Sequence, residues 1–494
     1  MTNAKPKNIY NLTKILSSNF EEGFKEVAII LAAGHGKRIK SQKSKMLHKI
    51  WGIPTVQRVY NACIAGISNI HSIIVVGIKA EDVIKAIGKR DKNIFAFQEK
   101  QNGTGHAVQV ALNEIRNKSF DGIVYILPGD MGLINRESLK EFRKDFIKSK
   151  SDMIVLTGIY NGDPVENSYG RIIRVKDKDR EGKSAGKDFG KVIRIIENKD
   201  IHALPENKPL EITFNNKIYC YLKNELINNN EFNSGVYAFK YTRLKNLVNK
   251  LKGNNVQKEI YITDLIELFN KKGYSVQAVS PKQQHVVMGF NNKSVLKEME
   301  NVARKNVYDQ LKDIIEIEDP DDFFIHEDVV IDILKMDKKG FPVDIKIDRG
   351  VFIGSGVKLN YNLSIGKNTF IAGNVRFGKN AMISENVYLS TFENQHLNID
   401  DNVEILQGNI IKGNIRIGKF SRIESSVNMT GSDEFPLRIG KNVLIKGTSY
   451  IFGSVIGNDV KIEHSVLVNK KVKSGSQVKY FLPKIVGEKD VSDI

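Results

Sequence analysis

The stretch Val27-Ala28-Ile29-Ile30-Leu31-Ala32-Ala33-Gly34-His35-Gly36-Lys37-Arg38, with Lys45 seven residues beyond it, decides how the first half of the chain is read. A short apolar run that ends in a glycine turn is the pattern of a buried parallel strand opening into a loop. Small residues at Ala32, Ala33, Gly34 and Gly36 let the backbone approach a ligand closely, and free N–H groups there can point at phosphate oxygens. Arg38 and Lys45 add two positive charges to the same concavity. The stretch suits a polyphosphate. It is neither a Walker pattern nor G-x-G-x-x-G, because Ile39 stands three places after Gly36. Taken alone, it also fits an ordinary strand-to-helix turn with solvated cations.

Outward from this loop the pattern alternates. A helix is expected over 54–65, a strand over 72–76, a helix over 80–87, a strand over 94–97, a helix over 104–115 and a strand over 122–127 ended by Pro128-Gly129-Asp130. Such alternation predicts an α/β fold, a Rossmann-like domain over 25–290 with a mostly parallel sheet covered on both faces. Ligands then bind beyond the carboxyl ends of the strands, where Gly34, Gln98 and Asp130 fall. Residues 1–24 read as a loosely attached N-terminal extension. The charged run Lys176 to Lys191 and the asparagine-rich run Leu222 to Asn233 read as inserted hairpins or loops. Apolar residues at Val295, Leu296, Met299, Val302, Leu311 and Ile314, with Pro320 beyond, predict a linker helix over 291–318.

The last third has a different period. Apolar residues recur every six places at Ile347, Ile353, Leu359, Ile365, Ile371, Phe377, Ile383 and Leu389, resume at Ile399, Ile405, Ile411, Ile417 and Ile423, and continue from Ile439 and Ile456. Several are followed by glycine, as at Gly354, Gly366, Gly418, Gly440 and Gly457. A fixed period means a solenoid with one inward side chain per short strand. Residues 340–480 resemble the left-handed parallel β-helix of hexapeptide-repeat proteins, and that resemblance implies a homotrimer. The phase breaks near Asn394, Ser432 and Gly453 are expected to be projecting loops, and 481–494 a tail.

Composition sets bounds. With 494 residues, 41% hydrophobic and 27% charged, the chain reads as globular with two to four domains. No apolar run approaches a membrane span and Met1 to Glu26 lacks the apolar core of a signal peptide, so the expectation is a cytoplasmic protein with no membrane partner. The net charge of +18 is spread and interleaved with acids, which argues for a basic surface and against nucleic-acid binding. Cys63 and Cys220 have no metal-ligand spacing and read as structural thiols.

Further pieces change the weight of the first loop: Lys45-Met46-Leu47-His48, Gln98, Gly103-Thr104-Gly105-His106-Ala107, Gly129-Asp130, Tyr169-Gly170-Arg171-Ile172, Glu197, Asn233-Ser234-Gly235, Tyr261-Ile262-Thr263-Asp264 and Asn291-Asn292. In this order, over roughly residues 25–300, they resemble the uridylyltransferase (pyrophosphorylase) half of the bifunctional bacterial enzyme of UDP-N-acetylglucosamine synthesis. The resemblance implies a Mg²⁺-dependent enzyme that joins UTP and N-acetylglucosamine 1-phosphate with loss of pyrophosphate. It implies that the backbone of Leu31, Ala32, Ala33 and Gly34 meets the nucleotide, with Gly129 beside it. Arg38 would steady the triphosphate and Lys45 the transferring or sugar phosphate. Gln98 would read the pyrimidine edge with Gly103 and Thr104. Gly170, Glu197 and Asn233 would meet the sugar. Asp130 and Asn291 would hold the metal, with Asn292 as the alternative to Asn291.

The chain departs from that family at Ser44, where proline is usual, at Lys37, where a small polar residue is usual, and at Pro128, where an aromatic is usual. None removes a ligand or charge that the chemistry needs, but base and sugar preference stay open, with another sugar 1-phosphate or dTTP as alternatives. In the bifunctional family the solenoid acetylates glucosamine 1-phosphate through a Gly-His-x-x-Tyr-x-Gly-Asp type of motif. That motif is missing here, and after residue 340 the histidines are His396 and His464. The solenoid is therefore expected to assemble or regulate. A drifted acetyltransferase site and a non-catalytic scaffold are the remaining alternatives.

Overall fold

The computed structural model describes residues 6–34, 36–117 and 119–482, without the side chains of Pro6 and Lys37. The chain divides into two compact units, Met1–Met299 and Glu300–Ile494. His35 and the expected tail beyond Leu482 lie outside the described residues.

In the first unit α1 is Pro6–Leu16, β1 Glu26–Ala32, α2 Thr55–Gly66, β2 His71–Val76, α3 Ala80–Ile87, β3 Asn93–Phe97, α4 Thr104–Leu112, β4 Ile123–Pro128, α5 Arg136–Ser149 and β5 Met153–Ile159. The hairpin strands β6 (Arg171–Arg174), β7 (Val192–Ile196), β8 (Leu210–Phe214) and β9 (Lys217–Tyr221) follow, then β10 (Glu231–Lys240) and β11 (Val276–Val279). The sheet order is β11-β5-β10-β4-β1-β2-β3. β1 is parallel to both β2 and β4, whereas β10 runs antiparallel to β4 and β5.

The continuous apolar reading of β1 has a direct cause. Ala28, Ile30 and Ala32 face one core with α2, α3 and α5, and Val27 and Ile29 face the other with α4. Both sheet faces are covered, so successive side chains must all be apolar. Each fully buried aliphatic side chain contributes about 1.5–3 kcal/mol. Cys63 is buried in the first core, and burial pushes its thiol up to about 12, so it stays an unreactive packing group.

One expectation is corrected here. The N-terminal extension is not loose: α1 places Ile9, Leu12 and Leu16 on the first core, and Ser18 N–H donates to the Asn93 carbonyl at 2.8 Å. The inserted run Lys176 to Lys191 is a mostly exposed loop that closes the β6–β7 hairpin, as one of the two expected forms. β6 and β7 pair antiparallel, β8 and β9 form a second hairpin, and Ile173, Val175, Ile193, Ile201, Tyr219 and Leu226 close a small core of their own. The asparagine-rich run divides between a short helix, Lys223–Ile227, and the start of β10.

A helix, α6, spans Lys293–Leu311, shorter at both ends than 291–318. Asn292 Oδ1 accepts from the Val295 N–H at 2.9 Å and caps its start.

The second unit stacks short parallel strands in three sheets of nine, eight and six strands, consistent with a left-handed parallel β-helix. Parallel stacking already begins at Glu316–Ile317 and Phe323–Ile325, N-terminal of residue 340, and Glu327–Asp337 inserts as a helix. Partners such as Ser364 and Met382, or Glu404 and Arg422, lie 18 residues apart, three six-residue faces per turn. Across Asn394 and Ser432 the spacing grows to 22 residues, as between Met382 and Glu404 and between Arg422 and Leu444, so four residues project at each. Gly453 differs from expectation: the turn there shortens to 17 residues, between Leu444 and Lys461, and no loop projects.

The glycines that follow inward apolar residues, such as Gly366, Gly418 and Gly440, are not in the left-handed conformation. A Cβ on Gly366 would stand 2.6 Å from the Glu385 nitrogen of the next turn, so glycine there answers close approach. Many of the left-handed corners are made by asparagines, beside glycines such as Gly350, Gly373 and Gly408. Asn362, Asn380 and Asn402 all have positive φ, and their carboxamides bond turn to turn at 2.9 and 3.0 Å.

Candidate functional site

The carboxyl ends of β1 and β4 meet at one edge of the sheet. Gly129 N–H donates to the Leu31 carbonyl at 2.9 Å, which sets Asp130 beside the loop of Leu31, Ala32, Ala33 and Gly34. A Cβ on Gly129 would stand 3.0 Å from both that carbonyl and Met46 Sδ, so the crossing is as close as glycine permits. Gly36, at φ 61°, leaves the space filled by the Lys45 side chain, which a Cβ would approach to 2.8 Å.

Lys45 is the hub. Its ammonium pairs with Asp130, donates to Asn291 Oδ1 at 3.1 Å and stands 5.2 Å from the centre of the Phe290 ring. Lys45 and Asp130 are 12% and 15% exposed, so this pair is shielded more than a surface ion pair. The carboxylate and the amide oxygen thus face a common point that already holds one cation. Two hard oxygens converging on a point beside the glycine loop fit Mg²⁺, which takes one or two protein oxygens and completes its shell with phosphate and water. Asn292 does not share this point, because its oxygen caps α6. Among the described residues no cluster of three or more His, Cys, Asp or Glu could hold a metal by itself. Arg38 is exposed and, among the described residues, makes no hydrogen bond or ion pair.

Gln98 follows β3 directly and is 3% exposed. Its backbone N–H donates to the Val76 carbonyl at 2.8 Å, and its side-chain Nε2 donates to the Gly103 carbonyl at 3.1 Å. Gly103 (φ 103°) has no room for a side chain, since a Cβ would meet the Ile260 carbonyl oxygen at 2.5 Å. Thr104 Oγ1 accepts from the Ile262 N–H at 3.2 Å, so its hydroxyl oxygen holds the 260–262 segment against the loop.

The remaining expected residues form a second group. Asn233 N–H donates to the Gly170 carbonyl at 2.9 Å, and a Cβ on Gly170 would lie 3.3 Å from Glu197 Oε1. β10 bulges between Asn233 and Val236, and there Asn233 Oδ1 accepts from Gly235 N–H and Tyr237 OH, both at 2.9 Å. A bulge beside a site re-aims a side chain. Burial above all, and then the charges of Asp200 and Asp264, push the Glu197 carboxyl up to about 7; burial likewise raises Asp264 to about 6. The two groups are linked by Tyr169, whose hydroxyl donates to the Gly289 carbonyl at 2.9 Å, two residues before Asn291.

The family model described as a MobA-like NTP transferase domain matches residues 28–174. This part of the chain is similar to nucleotidyltransferase domains. The bifunctional protein GlmU of Acetivibrio thermocellus is 35% identical over 309 residues, 62% of this chain and 58% of that protein. GlmU of Thermoanaerobacter pseudethanolicus is 34% identical over 306 residues, with the same two shares. GlmU of Carboxydothermus hydrogenoformans is 32% identical over 336 residues, 68% of this chain and 65% of that protein. The chain thus spans less than two thirds of the length of these relatives. A solved UDP-glucose pyrophosphorylase complexed with UDP-glucose aligns at a TM-score of 0.40 and 16% identity, over 57% of this chain and 99% of that one.

Within the first unit three participants escape a reading by motif. Phe290 underlies the Lys45 ammonium, Tyr169 ties the Gly170 and Asn291 segments together, and His106 touches Gln98. All stand within or beside quoted motifs, and position next to a candidate ligand was their only signal. In the coil, His396 is exposed, and His464 is occupied by Thr448 Oγ1 at 2.7 Å and by the Tyr480 ring.

Proposed function

We propose that the first unit is a sugar-1-phosphate nucleotidyltransferase that forms UDP-N-acetylglucosamine and pyrophosphate from UTP and N-acetylglucosamine 1-phosphate. The observation that carries this is the meeting of Lys45, Asp130 and Asn291 at one point beyond β1 and β4. A phosphate oxygen of the sugar phosphate attacks the α-phosphorus in line, and the bond to the β-phosphate breaks. The nucleophile needs no general base, since a phosphate monoester loses its second proton near pH ~6. The chain's task is to bring two anions together and to hold charge on the departing pyrophosphate.

The backbone of Leu31 to Gly34 lies against the nucleotide, and Arg38, unengaged by any described group, turns to the triphosphate. Lys45 lets go of Asp130 as the phosphates arrive and follows the charge of the transferring group. Asp130 and Asn291 would hold Mg²⁺, which supplies charge neutralisation at the phosphates when bound. Gly170, Glu197 and Asn233 line the sugar's side, with Glu197 near its midpoint of protonation at neutral pH. The coil serves assembly, as a homotrimer. The support is an outward row on one sheet in which Phe324, Phe352, Phe370 and Tyr388 stack at 4.5–4.8 Å and the exposed Ile410 follows.

The test is pyrophosphate release from UTP with each sugar 1-phosphate, with and without Mg²⁺. Release with N-acetylglucosamine 1-phosphate should fall by about 10²–10³ in Lys45→Ala, the scale of one lost charge-stabilising donor, and as steeply in Asp130→Ala. Release only with another sugar keeps the chemistry and changes the substrate. Silence with every sugar overturns the reading.

A further inference from the structure

Gln98 holds its carboxamide by the nitrogen end. Nε2 lies 3.1 Å from the Gly103 carbonyl oxygen and 3.0 Å from His106 Nδ1. The Gly103 carbonyl can only accept, so in this structure the NH₂ group faces it, and that bond favours this turn of the amide without enforcing it alone. The second amide hydrogen then points at His106 Nδ1, which must be an acceptor, with the ring proton on Nε2. Both amide hydrogens are engaged. Among the described residues no donor reaches Gln98 Oε1. The only capacity left to address a ligand is an acceptor.

The frame around this amide is rigid. Gln98 is 3% exposed and pinned to Val76 through its backbone. Gly103 is fixed against the Ile260 carbonyl, and Gly105 N–H donates to that same carbonyl at 2.8 Å. His106 stands in the first turn of α4, whose Ala107 and Val108 are buried in the core. Thus α4 carries His106 to the amide at a set distance.

We propose that His106 is a positioning residue that locks Gln98 with its carbonyl oxygen toward the base, so that the site selects a pyrimidine bearing N3–H over one whose N3 is a lone pair. This rests on the reading of Gln98 as the residue that meets the base. Uracil and thymine present a donor to Oε1; cytosine presents a second acceptor, and two lone pairs would face each other. An unmatched hydrogen-bonding edge of this kind separates bases by on the order of 10- to 100-fold. Without His106 the Gly103 carbonyl alone holds the amide, and an amide turned over can serve cytosine.

The variants His106→Phe, which keeps a ring but removes the acceptor, and His106→Asn, which restores one, are compared with Gln98→Ala. Dissociation constants for UTP and CTP are measured by calorimetry without sugar phosphate, and kcat and KM for both nucleotides are measured with it. Melting temperatures report folding. The expected result is that His106→Phe loses most of the UTP:CTP ratio, through Kd and KM for UTP rather than kcat, and that His106→Asn recovers it. A ratio unchanged in His106→Phe but lost in Gln98→Ala overturns the role of His106 and leaves the proposed function standing. A ratio unchanged in Gln98→Ala overturns the reading of the base site itself, and this inference with it. Equal weakening of UTP and CTP in both His106 variants assigns His106 to packing of α4 and also overturns the inference. If His106→Phe does not fold, His106→Ala takes its place with the same two outcomes.

Discussion

Glu197 stands where its own charge is opposed, enclosed by protein with Asp200 and Asp264 near it. Between about pH 4.5, its ordinary value, and about 7, the folded protein keeps a proton that the unfolded chain has released. Stability therefore falls as pH rises through that window, and the loss is complete above it. Glu197→Gln removes the charge and keeps the shape. It should match the parent at pH 4 and exceed it at pH 8 by on the order of 3 kcal/mol, from 1.36 kcal/mol per pKa unit; urea unfolding at both values reads the difference. An equal difference at both pH values would mean that the ionised form is not disfavoured. At this scale Lys45, Asp130 and Asn291 were legible from resemblance, because each sits in a short motif with chemistry of its own. The choice between Asn291 and Asn292 was not, since only the geometry shows one oxygen on Lys45 and the other capping a helix. Phe290 and Tyr169 act through partners distant in sequence, for which a local pattern has no signal, and His106 lies eight residues from Gln98 but meets it only through the turn into α4.

At the scale of elements the coil offers a direct test of its corner chemistry. Asn362, Asn380, Asn402 and Asn442 occupy one left-handed column, but the column passes through Phe420, at φ 62° and 61% exposed. A bulky side chain in that conformation costs roughly 1–2 kcal/mol, and little burial offsets it. Phe420→Asn should raise the stability of the coil by about 1 kcal/mol, seen as a higher urea midpoint, and should let the carboxamide ladder run on between Asn402 and Asn442. A lower midpoint would mean that the Phe420 ring is covered by something it packs against. The six-residue period was readable because strand after strand carries a buried aliphatic, such as Ile353, Ile365, Ile371, Ile383 and Ile405, and the phase breaks at Asn394 and Ser432 were readable as four added residues. The shortening at Gly453 breaks the phase just as an insertion does, so sequence alone could not tell the two apart. The attachment of α1 rests on Ile9, Leu12 and Leu16, with the Tyr10 ring edge-on to Phe97, too few to stand out in a polar stretch. The inserts could be read only as hairpins or loops because the core beside them is small and interrupted by charge.

At the scale of the molecule, the outward row of the coil connects fold and assembly. Phe352, Phe370, Tyr388 and Ile410 follow each other in register, and a row of this kind is covered when copies associate. The proposed trimer predicts three times the chain mass by light scattering, and a shift toward monomer in Ile410→Lys with an unchanged circular dichroism spectrum. No described helix is long and apolar enough to cross a membrane. The central claim is that the first unit moves the nucleotidyl group of UTP onto a sugar phosphate at the edge where β1 and β4 end. Its most direct test is to incubate UTP labelled at the α-phosphorus with N-acetylglucosamine 1-phosphate and Mg²⁺ and to separate the products. The account predicts label in a UDP-sugar, one pyrophosphate per label transferred, and no transfer with Asp130→Ala. Label remaining in UTP with every sugar phosphate, or appearing in UDP with release of inorganic phosphate, would contradict it.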